Sequence, residues 1–171
     1  MNMILLVITG TMGSGKTSVL QEASDVLAQY RIPHAAIDLD ALGGARCIDD
    51  ANDVMYENLA SISHNYAGLG LTRFLVARAI ESRAELNRCC RAVGATETLV
   101  CRLVANHDTM TRRVTEREQG MLQKELVRRV TLLTEILDKA RVEDFTISTE
   151  NRRVTETAHE MLVRAHWIVE R

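Results

Sequence analysis

Short apolar runs alternate along the whole chain with longer stretches in which apolar residues recur every three or four positions. Met3–Ile8 is a continuous apolar run, the pattern of a strand buried on both faces. From Gly15 to Tyr30, Val19, Leu20, Ala23, Val26 and Leu27 fall on one helical face. The lone proline, Pro33, closes that connection, and His34–Leu39 reads as a second strand. A helix near Ala51–Leu69 follows, with Met55, Leu59, Ile62, Tyr66 and Leu69 at steps of four, three, four and three. Arg73–Ala79 reads as a third strand, Ser82–Arg91 as a helix and Thr98–Val104 as a fourth strand. A helix starting near Asp108 runs toward Gly120, and Leu122, Leu126, Val130, Leu133, Leu137 and Ala140 mark a long one after it. Asp144–Ser148 is a fifth strand, and Arg152–His166 closes the chain as a helix carrying Val154, Ala158, Met161 and Leu162.

Five strands separated by helices predict an α/β fold: a five-stranded parallel sheet sandwiched by helices, with ligands at the carboxyl ends of the strands. Without a low-complexity linker or evident repeat, 171 residues suit a single domain over 1–171.

The chemistry sits where strand one meets the first helix. Gly10-Thr-Met-Gly-Ser-Gly-Lys-Thr17 satisfies G-x-x-x-x-G-K-[ST] in full. Glycines at 10, 13 and 15 let backbone approach phosphates, and successive N–H groups with the helix N-terminus present positive partial charge to an anion. Lys16 can reach the β- and γ-phosphates, and Thr17 can ligate Mg²⁺ through its hydroxyl. A strand before the loop and an amphipathic helix after it are the context the motif requires. The expected nucleotide site is therefore Gly10, Thr11, Met12, Gly13, Ser14, Gly15, Lys16, Thr17 and the adjoining Ser18, with ATP and Mg²⁺ as cofactors.

Ile37-Asp-Leu-Asp40 ends strand two. Strand alternation puts Asp38 and Asp40 on one side, and a strand adjoining the phosphate loop would deliver both near a γ-phosphate. One carboxylate could take an acceptor hydroxyl's proton while the other holds Mg²⁺ through water. Asp40 lies further into the loop, which favours it as the base and leaves Asp38 to the metal.

The phosphate loop followed by Asp38-Leu-Asp40 resembles the small-molecule kinases of the P-loop class, the adenylylsulfate, shikimate and nucleotide kinase-like group. The segment Phe74–Arg83 is similar to the strand and Arg-bearing turn of adenylylsulfate kinases. The closing Ile147-Ser-Thr149 with Val154, Ala158 and Leu162 looks like the last strand and helix of such enzymes. The likeness implies transfer of the γ-phosphoryl group of ATP to a hydroxyl or phosphate of a small molecule. It also implies a mobile lid after strand four, near 112–123, and shikimate kinase supports the ordering of Asp40 and Asp38. Leu39 replaces the central glycine of adenylylsulfate kinases, and Ala-Leu-Gly-Gly follows Asp40 where those enzymes have Asn-Val-Arg, so adenylylsulfate is not the expected acceptor.

Arg112-Arg-Val-Thr-Glu-Arg117 resembles lid segments of nucleotide kinases, with Arg113 and Arg117 on one helical face to stabilise charge on a phosphoryl group in flight. Asn58, His64 and Asn65 lie where related kinases seat the acceptor, and Tyr66 fits the apolar stripe and so the core. Arg46 and Arg78 could read an anionic acceptor or be salt-bridged. Thr149, Glu150 and Asn151 fall where such kinases hold the base.

The alternative reading is a regulatory or switch-type P-loop NTPase. Asp40-Ala-Leu-Gly43 matches D-x-x-G, but it follows the second strand, and a guanine-reading N-K-x-D is missing. A charge balance of 21 basic against 23 acidic residues gives no basic field for nucleic acid or membrane. Cys47, Cys89, Cys90 and Cys101 lack paired CxxC spacing, which suits reduced thiols in a cytoplasmic protein. A homo-oligomer is left open.

Overall fold

The computed structural model describes residues 2–43, 51–117 and 123–169. Five strands are present: β1 (Ile4–Thr9), β2 (Ala35–Asp38), β3 (Arg73–Ala77), β4 (Glu97–Val104) and β5 (Phe145–Ser148). They alternate with α1 (Lys16–Gln29), α2 (Ala51–Gly68), α3 (Arg83–Val93), α4 (His107–Arg117), α5 (Gln123–Ala140) and α6 (Val154–Arg164). All pairings are parallel, in the order β2-β3-β1-β4-β5. The chain leaves β1 toward one edge of the sheet and later returns to build the other. The crevice at the carboxyl end of β1 is therefore the switch point where open α/β sheets bind ligands.

Alternation along β1 divides the core. Leu6 and Ile8 pack with α1 and α6, through Val19, Leu27, Met161 and Leu162. Leu5 and Val7 face the other way, toward Met55, Leu59 and Leu86 of α2 and α3. A strand buried on both faces has no polar side to show, which is why Met3–Ile8 is apolar throughout. A third, smaller cluster joins α4 and α5 through Met110, Val114 and Val130. Arg102 is buried on β4 and binds Asp138 at 2.6 Å and Glu143 at 3.4 Å, tying the end of α5 to the sheet. Among the described residues no helix is long and apolar enough to cross a membrane.

Three expectations need correction. β2 stops at Asp38, and Leu39–Leu42 form a 3₁₀ turn, so Asp38 and Asp40 do not alternate along one strand. Asp38 itself causes the turn: its Oδ1 accepts the N–H of Asp40 at 3.2 Å, a local bond that competes with strand pairing. Nor does β2 adjoin β1, because β3 lies between them. On α2, burial fades along the stripe. Met55 and Leu59 are buried, whereas Tyr66 is 38% exposed and Leu69 is 79% exposed in a turn beyond the helix end. Tyr56 is buried instead, and its hydroxyl explains its placement below.

Candidate functional site

β1 delivers the chain into the loop Gly10–Gly15, and α1 starts at Lys16, so the helix N–H groups open onto the switch-point crevice. Two glycines are required by contact as well as by conformation. At Gly10 (φ 146°) a Cβ would lie 2.6 Å from the carbonyl oxygen of Leu103, and at Gly13 (φ 77°) 2.5 Å from that of Met110. The β4 exit and α4 thus press directly on the loop backbone.

Side chains of the loop complete its attachment. Thr11 is buried and donates to the carbonyl of Val130 on α5 at 3.3 Å, and Met12 packs on the α4–α5 cluster. The carbonyl of Thr11 collects both the N–H of Ser14 and the Nζ of Lys16, each at 3.2 Å. Burial pushes the Lys16 ammonium down to about pKa 8; the Asp40 and Asp38 carboxylates oppose this, while Arg117 and Arg78 add to it.

Thr17 donates to Asp38 Oδ2 at 2.8 Å, so a carboxylate from β2 reaches the loop across the width of β3. Asp40 forms an ion pair with Arg78, the first residue beyond β3. Arg78 Nε also donates to Glu85 Oε1 at 3.2 Å. Burial works against the Arg78 charge, yet Asp40 and Glu85 together outweigh it and hold its pKa above the ordinary value. Glu85 accepts the Tyr56 hydroxyl at 3.0 Å and the Glu81 N–H at 2.7 Å, and the Arg88 guanidinium sits 4.6 Å from the centre of the Tyr56 ring. Burial, reinforced by the charge of Glu85, holds the Tyr56 phenol above its usual pKa.

Arg113 on α4 bonds both the loop and the end of β5. Its Nη1 donates to the carbonyl of Gly13 at 3.1 Å and to Thr149 Oγ1 at 3.0 Å, and its Nη2 to the carbonyl of Thr149 at 3.0 Å. Arg117 is exposed at the end of α4 and lines the same cleft, of about 310 Å³, as Gly13, Lys16, Thr17 and Asp40. Met12, Gly15 and Ser18 line it too, while Gly10, Thr11 and Ser14 lie buried beneath. On the far side Glu150 accepts from Thr109 Oγ1 at 2.7 Å and from the Asn106 N–H at 3.1 Å, and these bonds lower its pKa.

Met12, Gly13, Gly15, Lys16, Thr17 and Ser18 therefore meet Asp40, Arg113 and Arg117 at one cleft, with Asp38 bonded to Thr17. His64 and Asn65 are exposed on α2 and line none of the clefts described here, and Asn58 donates to the Leu42 carbonyl at 3.0 Å, steadying the 3₁₀ turn. Arg46 and the 118–122 part of the expected lid lie outside the described residues. Sequence reasoning missed Glu85 and Tyr56. The only available signal was the charge of Glu85 seven residues after Arg78.

A five-stranded parallel sheet with this strand order, flanked by helices and with a glycine-rich loop after its first strand, has the P-loop nucleotide kinase-like fold. No family model matches the sequence, and no curated protein matches it. Solved structures do match over nearly the whole chain. Shikimate kinase from Acinetobacter baumannii in complex with shikimate has a TM-score of 0.64 at 16% identity, covering 97% of this chain and 94% of that one. The APS kinase of Mycobacterium tuberculosis in complex with AMPPNP and APS has a TM-score of 0.64 at 22% identity, covering 96% and 98%. A gluconokinase from Sinorhizobium meliloti 1021 has a TM-score of 0.60 at 20% identity, covering 95% and 90%. The chain shares their fold.

Proposed function

We propose that this protein is an ATP- and Mg²⁺-dependent kinase that phosphorylates a hydroxyl or phosphate of a small molecule in the cytoplasm. The observation that carries the reading is the Thr17–Asp38 hydrogen bond of 2.8 Å at the edge of the cleft that holds Lys16 and Asp40. A hydroxyl and a carboxylate side by side form an oxygen donor set suited to Mg²⁺. Mg²⁺ held by Thr17, with Asp38 behind it, would neutralise charge on the β- and γ-phosphates. Backbone N–H groups of the loop that face the cleft would cradle the phosphates, Lys16 would contact the terminal ones, and Arg117 would approach from α4.

Asp40 is the general base in this reading. Arg78 engages its Oδ1, which leaves Oδ2 to take the acceptor's proton. Beyond that ion pair opens a second cleft of about 490 Å³, lined by Tyr56, Arg78, Glu81, Ser82 and Glu85, and this is the proposed acceptor seat. Neighbours solved with shikimate, or with AMPPNP and APS, support a site that takes nucleotide and acceptor together.

The test has two stages. Mg²⁺-dependent stabilisation by ATP, GTP and non-hydrolysable analogues is measured by thermal shift, with Lys16→Ala as control. An acceptor panel is then screened for γ-phosphate transfer. Wild-type protein that binds no nucleoside triphosphate in the presence of Mg²⁺ refutes the proposal.

A further inference from the structure

We infer that Arg113 is a positioning residue: it locks the Gly13–Ser14 peptide of the phosphate loop and thereby seats Lys16. This rests on the reading of Gly10–Thr17 as a phosphate site, and it gives Arg113 a different role from a lid arginine that touches the transferring group.

The Gly13–Ser14 peptide is held from both sides. Its carbonyl accepts from Arg113 Nη1 at 3.1 Å, and its N–H, that of Ser14, donates to the Thr11 carbonyl at 3.2 Å. The same Thr11 carbonyl receives Lys16 Nζ at 3.2 Å. A rotation of that peptide would therefore withdraw the N–H from Thr11 and disturb the oxygen on which the ammonium rests. Because a peptide is planar and trans, fixing the carbonyl fixes the N–H opposite to it.

The other end of Arg113 is anchored to the sheet. Both of its terminal nitrogens bond Thr149, which follows β5, is buried, and donates its own N–H to the Val104 carbonyl at the end of β4 at 2.8 Å. The guanidinium thus links the loop to two strand ends. Met110, one turn earlier on α4, supplies the backbone that presses on Gly13. Positions 110 and 113 share a helical face, so one face of α4 grips one residue of the loop by its Cα and its carbonyl.

This engagement is chemically selective. Nη1 bridges two oxygens while Nη2 takes a third, which a planar fork allows and a single ammonium on a flexible stem does not reproduce. A residue acting as a point charge on phosphate would tolerate lysine; a residue acting as a bridge would not.

The experiment uses the full chain with Arg113→Gln and Arg113→Lys. In ligand-free protein, amide exchange at Ser14 is expected to accelerate in both variants, while Val19 on α1, bonded to the Gly15 carbonyl at 2.9 Å, keeps its wild-type rate. Binding of Mg·tripolyphosphate and of Mg·ATP is expected to weaken by a similar factor, about tenfold, in both variants. Lysine restoring wild-type affinity overturns the proposal in favour of direct charge contact. A loss confined to ATP overturns it in favour of base contact, and unchanged Ser14 exchange overturns it outright. If Arg113→Gln does not fold, Thr149→Val removes one anchor and leaves Arg113 in place; unaltered Ser14 exchange there is equally fatal. Wild-type protein binding neither ligand removes the phosphate-site reading itself, a result separate from all of these.

Discussion

In the proposed reading, Lys16 should make nucleotide binding a proton-consuming event. Partial burial in the loop holds its ammonium at pKa about 8, and a triphosphate placed against it would restore the charged form. At pH 8 about half of the free protein carries a neutral lysine, at pH 7 about a tenth, so binding takes up about 0.5 and 0.1 proton respectively. Above pH 8 the affinity for Mg·ATP falls by about tenfold per pH unit. Titration calorimetry in amine and sulfonate buffers of different ionisation enthalpy reads the uptake directly as a slope. The same shift has a stability sign. Between about pH 8 and 10.5 the unfolded chain holds more protons at Lys16 than the folded one, so folding is penalised below pH 8 and the penalty fades as pH rises to 10.5. The penalty is at most about 3 kcal/mol, reduced because the ammonium keeps an opening to the cleft. Lys16→Met should therefore bind nucleotide poorly yet melt at a higher temperature than wild type at pH 7, and lose that advantage near pH 10.5. Calorimetric slopes of zero at pH 8, or slopes that survive in Lys16→Met, refute the reasoning.

The carboxylates should separate by assay. Once an acceptor is found, Asp40→Asn is expected to lower turnover by about 10²–10⁴ at nearly unchanged ATP affinity, whereas Asp38→Asn raises the Mg²⁺ concentration needed for half-maximal nucleotide binding; equal transfer by Asp40→Asn and wild type refutes the base assignment. Gly13→Ala places a methyl 2.5 Å from the Met110 oxygen at positive φ, and chemical denaturation should show a loss of about 1–3 kcal/mol together with failed phosphate binding. Phe74→Ala empties a fully buried site on β3 and should cost about 3–5 kcal/mol by the same measurement.

The order of strands and helices was legible because it is written in local periodicity, and the placing of the glycine-rich loop between β1 and α1 because its motif is contiguous. Strand order was not, since nothing in β2 alone says that β3 will come between it and β1. The Asp38-Leu39-Asp40 pattern shows the limit of alternation. Leu39 is buried as a strand residue would be, yet the side chain of Asp38 captures the next-but-one N–H and turns the chain. Asp40 reaches the cleft by that turn, and its partner Arg78 comes from 38 residues away. Arg113 was legible as a cation beside the loop. Its carbonyl partners are backbone groups of Gly13 and Thr149, and a sequence carries no mark of which carbonyls will face a given side chain.

The variable positions of the phosphate-loop motif are not spare in this protein. Thr11 is fastened to α5, Met12 fills a gap between α4 and α5, and Ser14 is buried against Gly10. A loop transplanted from another phosphate-binding protein would keep the motif and lose the joinery. Such a chimaera would hold every residue that defines the site while lacking the fittings that attach it to this particular body. Interchangeability therefore ends at the motif's fixed letters, and the letters written as x are where one protein's loop becomes its own.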